Sequence, residues 1–257
     1  MSESLRIFET IAELERWREQ CRVQNLTIGF VPTMGALHGG HISLVERSRS
    51  ECARTVVSIF VNPTQFNNPR DLETYPRPVA QDIELLAQHK VDAVFLPKPE
   101  EIYCDKYRFE VNEKELSQTL CGAHRPGHFA GVLTVVMKLF NIVRPQRAYF
   151  GEKDFQQLSL IRDMARAFFM DVEVVPCPTL RESDGLAKSS RNLLLTVEQR
   201  RLAPALYRVL CTANSAEAAA AQLGDMGFVV DYVEDRDGRR FAAAHLGQVR
   251  LIDNVAF

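Results

Sequence analysis

Thr27-Ile28-Gly29-Phe30-Val31-Pro32-Thr33-Met34-Gly35-Ala36-Leu37-His38-Gly39-Gly40-His41 is the stretch on which the fold of this chain turns. Residues 27–31 read as a short buried strand. Just after the quoted stretch, Ile42, Leu44 and Val45 are interleaved with Glu46, Arg47 and Arg49, the pattern of the first turns of a helix. A His-x-Gly-His element therefore sits at a strand-to-helix turn. Such turns aim backbone N–H groups and the positive end of the helix dipole outward, a natural seat for phosphate. Glycine lets the backbone approach a ligand closely. Histidines at that place can donate hydrogen bonds to phosphoryl oxygens as charge builds in a transition state. The plain alternative is a glycine-rich turn with two surface histidines, and the rest of the chain decides between them.

Working outward, a helix to about residue 53 is followed by the apolar run Val56-Val57-Ser58-Ile59-Phe60-Val61, which completes a βαβ unit and predicts a parallel sheet. Upstream, Ile11, Leu14, Trp17 and Cys21 at helical spacing predict an opening helix over 10–24. Downstream, the pattern alternates: helix 79–89, strand 92–96, helix 129–143, strand 148–150, helix 154–169 and strand 172–175. Near-continuous apolar strands between helices predict a doubly wound, parallel α/β domain over residues 1–178. Beyond it the texture changes. A loop over 181–192 leads to an alanine-rich helical tract over 196–224. Strand-like segments at 227–233 and 248–252 then flank the turn Asp235-Arg236-Asp237-Gly238. Residues 179–257 are expected to form a small α+β C-terminal domain.

The composition narrows the function. A length of 257 residues allows one large domain, or a large and a small one. With 46% hydrophobic and 25% charged residues, the chain has the make-up of an ordinary globular protein. A net charge of −2 is no polyanion-binding signature, so no nucleic-acid partner is expected and any phosphate affinity must be local. Cys21, Cys52, Cys104, Cys121, Cys177 and Cys211 show neither CxxC nor another metal-ligand spacing; reduced thiols and no zinc site are expected. The opening residues are charged and amphipathic rather than a basic–apolar leader, and no apolar run approaches the ~20 residues of a membrane span. The expectation is a cytoplasmic protein with no membrane partner.

In open parallel sheets ligands bind where loops leave the carboxyl ends of the strands. The polar residues of this chain gather at those ends. The first strand runs into the His38/His41 turn, and the second into Asn62-Pro63-Thr64-Gln65-Phe66-Asn67. The strand at 148–150 runs into Gly151-Glu152-Lys153-Asp154-Phe155-Gln156-Gln157. The strand at 172–175 leads to Arg181 and Asp184-Gly185-Leu186-Ala187-Lys188-Ser189-Ser190-Arg191-Asn192. Each piece has a plain reading of its own: Lys153 paired on a solvated helix start, Asn62 and Gln65 as turn formers, Lys188 and Arg191 in a basic loop. Jointly, four loops from four strands predict one cleft.

The HxGH turn and the Lys188-Ser189-Ser190-Arg191 loop resemble the paired signatures of the Rossmann-like HxGH nucleotidyltransferases. Within that superfamily PTMGALHGGH (32–41), SIFVNPTQF (58–66), RPGHFAGV (125–132), FGEKDFQQL (150–158) and DGLAKSSRN (184–192) resemble, in order and spacing, the pantoate–β-alanine ligase (pantothenate synthetase) family. The resemblance runs over about residues 5–210. It implies a two-step ligation: the carboxylate of (R)-pantoate attacks the α-phosphate of Mg-ATP, giving pantoyl adenylate and pyrophosphate. The amine of β-alanine then attacks the acyl carbon, giving pantothenate and AMP. It further implies ATP as substrate, Mg²⁺, and a homodimer.

Carried onto this chain, the resemblance assigns nucleotide contacts to Met34, Gly35, Ala36, Leu37, His38, Gly39, Gly40 and His41. Gly151, Glu152, Lys153 and Asp154, the backbone of Leu180, and Lys188, Ser189, Ser190 and Arg191 complete that site. Asn62, Gln65 and Gln157 would hold pantoate, Gln65 also helping to place β-alanine. His41, His38, Lys153, Ser189 and Arg191 would carry the chemistry, with His41 the proton donor. Arg125 and His128 belong to a further motif of lower rank. An Asp184/Ser189 hydrolase pair is not expected, because no base is in evidence beside the serine.

Two features depart from the pattern. Lys188 stands where an apolar Met or Leu is expected, so it either adds a cation for pyrophosphate departure or points to water. The C-terminal part is also short. Two other functions fit the HxGH turn by itself: a nucleotidyltransferase acting on another phosphate or alcohol, and a non-catalytic nucleotide-binding regulator. The amide-rich NPTQF and KDFQQ segments favour a small hydroxy acid over the first, since amides recognise hydroxyls and carboxylates without adding charge. The full set of charge-stabilising groups disfavours the second.

Overall fold

The computed structural model describes residues 5–67 and 69–257 of the chain. Its centre is a six-stranded sheet, β1 (Arg6–Phe8), β2 (Ile28–Thr33), β3 (Arg54–Ile59), β4 (Ala93–Phe95), β5 (Arg147–Gly151) and β6 (Glu173–Cys177). All pairings are parallel and the order is β1-β4-β3-β2-β5-β6. From β2 the chain winds outward through β3 and β4, then crosses back to β5 on the other side. The order therefore reverses between β2 and β5, and a crevice opens there at the carboxyl ends.

Helices cover both faces: α1 (Ile11–Val23), α2 (Gly39–Glu51), α3 (Pro69–Thr74), α4 (Val79–Gln88), α5 (Pro99–Ile102), α6 (Cys121–His124), α7 (His128–Val143) and α8 (Phe155–Ala167). One face buries Leu14 and Trp17 of α1, Leu133 and Phe140 of α7, and Leu158 and Ile161 of α8 against Phe30 and Phe95. The other packs Val45 of α2 and Leu86 of α4 on Val31, Val57 and Val94. Strands buried on both faces explain the unbroken apolar runs of the sequence. Each such side chain stabilises the fold by about 1.5–3 kcal/mol. No helix among the described residues is long and apolar enough to cross a membrane.

The remainder holds α9 (Val197–Leu202), α10 (Ala205–Thr212), α11 (Ala216–Asp225) and an antiparallel sheet, β7 (Val229–Arg236), β8 (Arg239–Leu246) and β9 (Val249–Ala256). The helical tract expected as one piece is broken into three, with Pro204 opening α10 and the Ser215 side chain capping α11. Two strands were expected and three are present. The missing one is β8, reached through a tight turn in which Asp237 and Gly238 both take positive φ. Its alanines are buried on both sides. Phe241 and Ala243 join the core of the large sheet, whereas Ala242, Ala244 and Leu246 pack with Leu206, Leu210 and Leu223. The closing sheet is thus seated on the large one rather than tethered to it.

Candidate active site

The local fold of the His-x-Gly-His turn follows from its backbone needs. Gly35 takes φ +80 and Ala36 φ +49, which swings the chain out of β2. The Ala36 and Leu37 amides donate to the buried Asp82 carboxylate on α4 at 2.9 and 2.8 Å. Gly35, Ala36 and Leu37 therefore shape the turn from behind, while Met34, His38, Gly40 and His41 face the cavity. Asp82 escaped the sequence reading, although a carboxylate on the same helix face as Leu86 is the kind of misfit that signals a buried role.

His38 caps α2. Its Nδ1 accepts from the Gly40 amide at 3.1 Å, and the His41 Nδ1 accepts from the His38 amide at 3.3 Å. Only glycine allows this at position 40, where a Cβ would stand 2.8 Å from the His38 ring. A neutral imidazole that accepts at Nδ1 carries its proton on Nε2. Both rings are kept neutral. Desolvation, then Lys153 and Lys188, lower the His38 pKa to about 4; desolvation, then His38 itself, lower that of His41 to about 3. The rings lie 4.1 Å apart. The turn thus presents two fixed N–H donors at a helix start.

The four expected loops meet in one cavity of ≈ 240 Å³. Its polar lining includes the two histidines, Lys153 and Asp154 from the β5 turn, and Lys188, Ser189, Ser190 and Arg191 from the segment after β6. Lys153 lies 3.6 Å from Asp154. Burial works to raise the Asp154 pKa, but Lys153 and then Arg191 outweigh it and keep the carboxylate ionised. Lys188 does not simply point to water. It lines the cavity beside Gly39 and pairs with Glu182 at 3.5 Å. Leu180 lies at the rim, its carbonyl taken by the Lys188 amide at 2.9 Å. Glu152 does not line the cavity, and its backbone carbonyl accepts from Asn254. The Ser189 Oγ accepts from the Arg191 amide, and Asp184 is tied to Arg200, so no nucleophilic pair is built from them.

Val132, Val135, Val136 and Leu139 on α7 add an apolar lining that was missed in the sequence. A helix apolar on most of its surface gives no sign of which residues meet solvent-filled space. Gln65 and Gln157 line the cavity together with Asn62. Asn62 is buried, with its Oδ1 accepting from Tyr103 at 2.7 Å and its Nδ2 donating to Gln65 and to the Gly131 carbonyl. It acts by holding Gln65 rather than with an uncommitted amide. Of the two successive glutamines, Gln156 turns inward to the backbone of residues 116–121 and Gln157 turns to the cavity. Arg125 and His128 clamp the Gln65 carbonyl, at 3.2 and 2.8 Å.

His128 is likewise kept neutral, desolvation and then Arg125 lowering its pKa to about 3. The unfolded chain binds protons at these histidines near pH 6.5, while the folded one does so only far below. Stability is therefore lost as pH falls through 6.5, by up to about 1.4 kcal/mol per pH unit for each histidine. Thermal unfolding is expected to show Tm falling from about pH 7 to pH 5, and His128→Gln to flatten that slope. An unchanged slope would place the acid sensitivity elsewhere.

Among the described residues no group of three or more His, Cys, Asp and Glu side chains could hold a metal ion. Asp154 is the one carboxylate lining the cavity among the described residues.

A parallel sheet with two imidazoles on the helix start at its switch point, in a cavity shared with a cationic loop, makes a doubly wound α/β protein with a site suited to phosphate groups. Comparison with known proteins narrows this. A family model for pantoate-beta-alanine ligase matches residues 6–256, and the chain belongs to that family. A pantothenate synthetase of Bdellovibrio bacteriovorus is 57% identical over 97% of this chain and 98% of the relative; one from Legionella pneumophila is 51% identical over 97% and 99%. The short C-terminal part is therefore shared with relatives. A pantoate-beta-alanine ligase from Francisella tularensis, solved with beta-gamma ATP and beta-alanine, superposes with TM-score 0.94 at 42% identity, covering 98% of both chains.

Proposed function

We propose that this protein joins pantoate to β-alanine at the expense of ATP, by way of a pantoyl adenylate. The make-up of the cavity lining carries the reading. It combines neutral N–H donors and cations suited to a triphosphate with amides and apolar side chains suited to a small branched hydroxy acid. No side-chain nucleophile is needed, because the substrate carboxylate is one. Its oxygen attacks the α-phosphorus and pyrophosphate leaves; the β-alanine amine then attacks the acyl carbon and AMP leaves. Phosphoryl-type transfer asks the protein for positioning and charge neutralisation more than for covalent help.

In this scheme His38 and His41 donate from Nε2 to phosphate oxygens, and the arriving negative charge raises their pKa values towards protonation. Lys153 and Arg191, which both line the cavity, neutralise charge. Ser189 and Ser190 add polar contacts, and Lys188 exchanges Glu182 for the departing pyrophosphate. Mg²⁺ enters as part of the Mg-ATP substrate, held by phosphate oxygens and water with Asp154 as the protein carboxylate within the cavity.

Gln157 and Gln65 hold pantoate. Gln65→Ala is expected to raise KM for pantoate and β-alanine roughly tenfold, the loss of about one hydrogen bond, with kcat little changed. Unchanged KM values would take Gln65 out of substrate binding.

Isotopic labelling tests the reaction. With both carboxylate oxygens of pantoate labelled with ¹⁸O, one label is expected in AMP and the other in the amide carbonyl of pantothenate. Label in inorganic phosphate, accompanied by ADP, would mean attack at the γ-phosphorus and contradict the proposal.

A further inference from the structure

Near the end of the chain, β9 carries two adjacent buried polar residues, Asp253 and Asn254, each 4% exposed. A carboxylate and an amide are stable at such depth only with their hydrogen-bonding capacity met. Asn254 Nδ2 donates to the carbonyls of Glu152 and Lys153, both at 2.9 Å, while Arg239 donates to its Oδ1. Asp253 receives both terminal nitrogens of Arg181, at 2.6 and 2.9 Å. It also accepts from the Asn254 amide at 2.8 Å, which ties the pair together. Arg181 is held from its other side, its guanidinium 3.6 Å from the centre of the Tyr207 ring.

The two carbonyls bound by Asn254 belong to the peptide planes on either side of the Lys153 Cα. Anchoring both planes fixes the backbone torsions of Lys153, and with them the direction of its Cα–Cβ bond. Arg181 begins the hairpin that returns at Ala187, just before Lys188 and Ser189. Apolar packing of Phe241 and Ala243 already seats the closing sheet. That packing is not directional. Hydrogen bonds to two particular carbonyls are, and they act on Lys153, one of the cationic residues of the cleft.

We propose that Asn254 and Asp253 are positioning residues for adenylate formation. Asn254 sets the backbone of Lys153 and Asp253 sets Arg181, so that a single dipeptide ties the Lys153 turn to the segment that carries Lys188, Ser189 and Arg191. The inference rests on the adenylation reading above. It adds a role for the third sheet strand, which lines none of the main cavity.

The test is Asn254→Ala made alone and together with Lys153→Ala, read by single-turnover pyrophosphate release from Mg-ATP and pantoate, KM for ATP, and Tm. Misplacing one catalytic group is expected to lower kcat by about 10- to 100-fold with KM for ATP little changed. In the Lys153→Ala background the same change is expected to have almost no further effect, since the group it positions is gone. An equal fold loss in both backgrounds, or a wild-type kcat in Asn254→Ala, would overturn the proposal. Asn254→Asp keeps the shape but sets an acceptor against two carbonyls, and is expected to lose at least as much kcat. A folded Asn254→Asp protein with wild-type kcat would overturn it too, as would failure of both variants to fold, which would make the pair a stability element. A wild-type enzyme that releases no pyrophosphate with pantoate would instead count against the adenylation reading.

Discussion

His41→Ala is expected to slow pantoate-dependent pyrophosphate release by ~10²–10³-fold, the usual effect of removing one preorganised transition-state donor. The size follows from geometry. The ring is fixed through Nδ1 by the His38 amide, so its Nε2–H needs no reorganisation when charge develops on the phosphate. Low pKa values at both rings mean that the turn holds neutral donors rather than cations. Substrate binding depends on several other groups, so KM for ATP is expected to move far less than kcat. The fold loses one reciprocal cap at the start of α2, about 1 kcal/mol. For a chain of this size that lowers Tm by roughly 2–4 °C. A variant that keeps more than a fifth of the wild-type rate would remove His41 from the chemistry.

Lys153→Ala is expected to do comparable damage, ~10²–10³-fold, with a different signature. In the proposed reaction Lys153 neutralises incoming phosphate, and it also faces Asp154 at 3.6 Å. Without it, Asp154 loses the largest of the charges that favour its ionised form. The carboxylate then stands beside a polyanion with Arg191 left to offset it. Both kcat and the affinity for ATP are therefore expected to fall, unlike in His41→Ala. The ATP dependence of single-turnover rates separates the two effects. Near-normal kcat with raised KM would confine Lys153 to ground-state binding.

Most of the site was legible because its parts are contiguous and lie at strand ends. Each of the four loop motifs follows an apolar strand, and the parallel order brings their carboxyl ends to one rim. What stayed hidden depends on contacts remote in sequence. Asp82 lies more than forty positions from the amides it holds, and Asn254 a hundred from the carbonyls it binds. The three residues of β1 carry too little pattern to be read as a strand. Strand β8 was missed because Ala242, Ala243 and Ala244 favour a helix by propensity, and burial on both faces leaves no alternation of polar and apolar positions. Its place is set by β7 and β9 pairing on either side, a tertiary effect.

Substrate order gives the most direct test of the central claim, activation of the pantoate carboxylate by ATP before any amine takes part. Enzyme at substrate-level concentration is mixed with Mg-ATP and pantoate, without β-alanine, and pyrophosphate is followed over time. The account predicts a burst that approaches one pyrophosphate per active site and depends on pantoate, followed by steady turnover once β-alanine is added. A complex that binds ATP and pantoate but releases no pyrophosphate until β-alanine arrives would contradict it.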